Sequence, residues 1–145
     1  MTKAILDSSF LIALMDEKDK WRKKALSIQN ALKKKKVRLV YLDCAVNETI
    51  SVVARRLEEK GRSQEFRSVL QKIEQAIPAE SISWIYPEVR RLYPDILAAI
   101  KKHEGKLNFH DALMVLAARE MAIPHIVSFD QDFDEVDGIE RIGKL

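Results

Sequence analysis

Apolar positions along the chain fall into two alternating patterns. Short dense runs at Lys3–Leu6, 37–42, 82–86, 125–129 and 139–142 read as strands, the fourth buried and the last a short edge strand. Between them, apolar residues recur at helical spacing. Phe10, Leu11, Ile12, Leu14 and Met15 follow the first run, with Ser8 or Ser9 as a capping residue. Trp21, Ala25, Ile28 and Leu32 predict the inner face of a helix over 19–36. Val46, Ile50, Val53 and Leu57 stripe a helix opened by Asp43, and Phe66, Val69, Leu70, Ile73 and Ile77 stripe another over 63–77. Pro87 starts a helix with Leu92, Ile96, Leu97 and Ile100 inward, and Pro94 predicts a kink or break in it. Phe109, Ala112, Leu113, Leu116, Ala117 and Met121 mark one face of a helix that Pro124 stops. Strands alternating with helix pairs predict one α/β domain over residues 1–145, with a parallel sheet covered on both faces.

In such a sheet ligands collect beyond the carboxyl ends of the strands, where the strand order reverses. Asp7 ends the first strand, and Asp130 follows the fourth at the start of an acidic loop with Asp132 and Asp134. Asp111 lies in the first turn of a helix feeding that same strand. Glu48 sits about 160° around its helix from the main stripe, at about 100° per residue, on a side shared with Ala45, Thr49 and Val52. Taken singly, Asp7 reads equally well as a helix cap or turn residue, and Glu48 as an exposed surface glutamate. Taken together, carboxylates brought to one place repel unless protons or a cation neutralise them. An oxygen-only set suits Mg²⁺ or Mn²⁺ and suits zinc or copper poorly. One or two such ions could polarise a phosphodiester, activate water and stabilise a leaving oxygen without a protein nucleophile.

Composition narrows this without deciding it. Hydrophobic residues are 47% and charged residues 32%, which excludes general disorder. The net charge of +3 permits a nucleic-acid partner and does not demand one. The lysine run at residues 33–36 reads as a solvated helix end. A single cysteine, Cys44, rules out an internal disulfide and fits a reducing compartment. His103, His110 and His125 lack zinc-binding spacing, and the four glycines are scattered, so no phosphate loop is present. No apolar run reaches the roughly 20 residues of a membrane span, and no signal-peptide pattern opens the chain. The expected place of work is the cytoplasm, with no membrane partner.

The ordered acids carry a family resemblance. Residues 5–14, Ile-Leu-Asp-Ser-Ser-Phe-Leu-Ile-Ala-Leu, resemble the opening motif of the PIN-domain nucleases, an aspartate followed two residues on by serine or threonine. Asn47-Glu48 resembles the family's second acid, Phe109-His110-Asp111-Ala112-Leu113 its third, and Ser128-Phe129-Asp130-Gln131-Asp132-Phe133 its fourth. Single-domain VapC-type toxins are the members most similar. The resemblance implies a three-layer α/β/α domain with sheet order 3-2-1-4-5. It implies Mg²⁺- or Mn²⁺-dependent endoribonuclease activity, with Asp7, Glu48, Asp111 and Asp130 as metal-holding and catalytic acids. A homodimer and an antitoxin partner are further implications. Asp132 competes with Asp130 for the fourth place, and 61–106 is longer than in the smallest members, so its helices are expected to serve dimerisation or a partner. A housekeeping RNA-processing nuclease and a non-catalytic module binding RNA or protein remain alternatives. A phosphoacceptor receiver domain would want an acidic pair after the first strand, which Asp7-Ser8-Ser9 does not supply.

Overall fold

Five strands form one sheet in the order β3-β2-β1-β4-β5, all neighbours parallel, in a computed structural model that describes residues 2–144. The strands are β1 (Lys3–Leu6), β2 (Arg38–Leu42), β3 (Ile82–Ser83), β4 (His125–Val127) and β5 (Glu140–Ile142). The α-helices are α1 (Ser8–Met15), α2 (Arg22–Lys34), α3 (Asp43–Glu59), α4 (Phe66–Ala76), α5 (Val89–Lys102) and α6 (Phe109–Glu120). The expected three-layer α/β/α architecture and order 3-2-1-4-5 are both present. From β1 the chain steps outward through β2 to β3, then crosses back to β4 on the other side of β1. Among the helices, α1 packs against α2, α3 and α4, and α5 packs against α6. The order reverses between β1 and β4, which pair through Ile5 with Ile126 and Leu6 with Val127.

The core is continuous through the sheet, with Ile5, Leu6, Phe10, Leu42, Leu113 and Ile126 among its fully buried side chains. Several boundaries differ from the pattern for identifiable reasons. α2 starts three residues later than expected because the Asp19 carboxylate accepts the Trp21 backbone N–H in a turn (2.7 Å). Trp21 is consequently not an inward core residue: it is 37% exposed. β3 keeps only two residues, because the backbone N–H groups of Ile85 and Tyr86 donate to the buried Asp43 carboxylate (2.9 and 2.8 Å). Residues 63–65 form a separate 3₁₀ turn ahead of α4. α5 runs through Pro94 without a break. The ring lies on the solvent face, where water can satisfy the carbonyl it leaves unpaired. α6 ends at Glu120, before Pro124, and is buried on nearly all sides, with Met114 and Val115 inside as well as Leu113, while Met121 is exposed.

Candidate active site

The exit from β1 sets the first acid. The Asp7 backbone N–H donates to Val127 O (3.0 Å), and its carbonyl accepts from Phe10 N and Leu11 N, so its main chain ends the strand and starts α1. Its side chain takes no part in that cap. Instead Oδ2 accepts from Ser9 Oγ (2.9 Å) and Ser128 Oγ (2.6 Å). With both hydroxyl hydrogens committed there, the 3.2 Å contact between the two serines has none left to share. The serines accept in turn from the other strand's exit: Phe129 N donates to Ser9 Oγ (3.1 Å) and Asp130 N to Ser128 Oγ (2.9 Å). Burial pushes the Asp7 carboxyl above the ordinary range; the hydroxyls oppose this and the Asp130 charge adds to it.

Glu48 reaches the same cleft from the second turn of α3. It is half-buried, and burial followed by the Asp7 charge raises its carboxyl. Asp111 opens α6 inside a reciprocal cap: its N–H donates to Asn108 Oδ1 (2.8 Å), and its Oδ2 accepts from Asn108 N (3.1 Å). At 7% exposure it is pushed up to about 7, by burial first and then by the charges of Asp7, Glu48 and Asp130, against the Asn108 backbone N–H. Asp130 caps the 3₁₀ turn Gln131–Glu135 by accepting from Asp132 N (2.9 Å). Phe133, fully buried, anchors that turn.

All four acids line one open cleft of about 710 Å³; Asp132 is not among its lining residues. A second groove of about 620 Å³ beside α1, α3 and α4 contains none of the four. Asp7 Oδ1 and Glu48 Oε2 are buried and lack a hydrogen-bond partner among the described residues. Such carboxylate oxygens are costly unless protonated or held against a cation, so the donor set fits a hard divalent ion. Among the described residues, no three His, Cys, Asp or Glu side chains are already disposed to hold one. The acids therefore share a cleft and each other's fields without forming a closed ligand set.

Several contributors escaped the sequence reading. Ser128 bridges Asp7 to Asp130, and its place two residues before Asp130 was the available signal. Asp43, read only as a helix opener, is buried and also accepts from Cys44 N (2.9 Å), so it pins the β3–α5 connection to the start of α3. Beside the cleft acids, Asn47 Nδ2 donates to Tyr86 Oη (2.9 Å), and that hydroxyl lies 3.4 Å from His110 Nε2. Cys44 is no nucleophile: burial raises its thiol to about 12.

Comparison with curated proteins finds no match. Among solved structures, the chain resembles Mycobacterium tuberculosis VapC20, described as a toxin that cleaves the sarcin–ricin loop. The TM-score is 0.67 at 18% identity, covering 90% of this chain and 92% of that one. At that identity the likeness speaks for the fold. Residues 4–139 match the model of the PIN domain, which supports a nuclease. With that match spanning nearly the whole chain and the acids gathered at the switch between β1 and β4, this protein belongs to the PIN-domain family.

Proposed function

We propose that the chain is a Mg²⁺- or Mn²⁺-dependent endoribonuclease in which Asp7, Glu48, Asp111 and Asp130 hold the metal, and that it is the toxin of a VapBC-type pair. The observation that carries this is the pair of unpartnered buried oxygens, Asp7 Oδ1 and Glu48 Oε2, in one cleft with the other two acids. A divalent ion bound there would polarise the phosphodiester, acidify a water and stabilise the leaving oxygen. The chain's own groups do the positioning. Ser9 and Ser128 hold Asp7 Oδ2, which leaves Oδ1 as its donor. The reciprocal cap with Asn108 orients Asp111, and the 3₁₀ turn orients Asp130. Lys18, Lys20 and Lys60 on the cleft wall supply positive charge for the flanking phosphates.

RNA as substrate, an antitoxin partner, a homodimer and a cytoplasmic setting belong to the same reading. The RNA substrate and the antitoxin draw on the family match and on the likeness to a toxin described as cleaving the sarcin–ricin loop. The decisive variant is Asp7→Asn, whose amide oxygen can still accept from Ser9 and Ser128 and so preserves the fold. Metal-dependent cleavage of RNA should be abolished. A folded Asp7→Asn protein that cuts RNA at the wild-type rate would remove Asp7 from the metal site.

A further inference from the structure

Of the exposed large apolar side chains, Trp21 alone lines the acidic cleft among the described residues. It is held there by packing on one side and hydrogen bonds on the other. Its indole stacks on Phe129, centroids 5.0 Å apart and planes 11° apart, and Phe129 packs in turn on buried Phe10 at 5.8 Å. An aromatic column thus runs from the core to the cleft wall. Its middle member, Phe129, lies between Ser128, which holds Asp7, and Asp130. The loop is braced from the other side. Trp21 N donates to Asp19 Oδ1, Asp19 Oδ2 accepts from Arg56 (2.7 Å), and Asp19 N donates to Asp16 O (3.0 Å).

Covering Phe129 uses only part of the indole. The remainder is exposed beneath the Lys20 and Lys24 ammonium groups, which lie over the ring 5.5 and 5.3 Å from its centroid. Those exposed contacts are weak and easily displaced. A fixed aromatic surface flanked by lysines is the arrangement that holds an unpaired nucleobase and its phosphates.

We infer that Trp21 is a stacking platform for a base of single-stranded RNA adjoining the scissile phosphate, with Lys18, Lys20, Lys24 and Lys60 meeting the neighbouring phosphates. The interior of an RNA duplex cannot use it, because a base stacked within the helix exposes no face. The inference rests on the ribonuclease reading for its substrate class, but its test stands apart from cleavage.

The chain has two tryptophans, and Trp84 is 61% exposed, so Trp84→Phe leaves Trp21 as the sole indole emitter without disturbing the core. In that background, with Asp7→Asn to prevent cutting, a short single-stranded RNA should quench Trp21 fluorescence saturably. An abasic ribose-phosphate oligomer of the same length should not. Equal quenching by both would reduce the surface to phosphate contact, and no quenching by either would overturn the platform outright. In the otherwise wild-type enzyme, Trp21→Leu keeps an apolar cover over Phe129 and should raise KM on the order of 10-fold with kcat nearly unchanged, as loss of one base stack requires. A fall in kcat with KM unchanged would make Trp21 a support for Phe129 and Asp130 instead. Quenching without any cleavage by the wild-type protein would sink the nuclease reading and leave the platform standing.

Discussion

Asp111 offers a test of the site that needs no substrate. Its carboxyl is pushed from an ordinary value of 3.8 to about 7, mainly by burial and then by Asp7, Glu48 and Asp130. Below pH about 4 the group is protonated in the folded and unfolded chains alike, and its own contribution to stability is fully present. Between about 4 and 7 the unfolded chain ionises first, so the contribution of Asp111 to metal-free stability is lost as pH rises and levels off above about 7. At about 1.4 kcal/mol for each tenfold change in proton affinity, the fall is roughly 4 kcal/mol as an upper bound. Asp111→Asn removes that charge yet can still accept from Asn108 N, so the cap survives. It gives back only the helix N-terminus preference for a negative charge, about 0.5 kcal/mol. Urea unfolding in chelator should therefore find the variant roughly 2–4 kcal/mol more stable than wild type at pH 8, and nearly equal to it at pH 4. Added Mn²⁺ should stabilise the wild type at pH 8 and the variant much less. A variant no more stable than wild type at pH 8, or equally stabilised at both pH values, would refute the claim that the clustered charges strain this cleft.

Asp130→Ala should damage cleavage and Mg²⁺ affinity more than Asp132→Ala under the same conditions, because Asp130 lines the cleft and Asp132 donates only its backbone N–H to it; the reverse ranking would hand the fourth place to Asp132. Asp43→Ala strips the acceptor from three backbone N–H groups, those of Cys44, Ile85 and Tyr86, and should cost about 2–4 kcal/mol in thermal or urea unfolding. A loss below about 0.5 kcal/mol would mean water replaces it. Sedimentation at micromolar concentration should give a mass near twice 16.7 kDa if helices between Gly61 and Gly105 pair two copies; a clean monomer would end that proposal.

Strand and helix positions were legible because burial imposes a period on the chain wherever an element has one wet face. α3 shows this well: Val46, Val53 and Leu57 are buried as their spacing requires, and Glu48 lies on the second, small-residue side. α6 carries no such mark, since a helix buried on nearly all sides has no polar face to set its orientation. Trp21 was misplaced for a related reason. Its spacing matched the stripe of α2, but Asp19 holds the chain in a turn until Arg22, so the indole never joins that face.

The sequence by itself determined the class of fold and the parallel sheet, because local periodicity survives in one dimension, and it offered four acids whose order resembles that of the PIN-domain family. Only the tertiary structure decided what those acids experience. Asp7 and Ser128 lie 121 positions apart in the chain, yet their 2.6 Å hydrogen bond exists because β1 and β4 are neighbours. The two unpartnered oxygens, the raised carboxyl of Asp111 and the stacking of Trp21 on Phe129 likewise depend on which strands adjoin. Burial and electric field are properties of a neighbourhood, and residues distant in the chain become neighbours only when the sheet closes over its core.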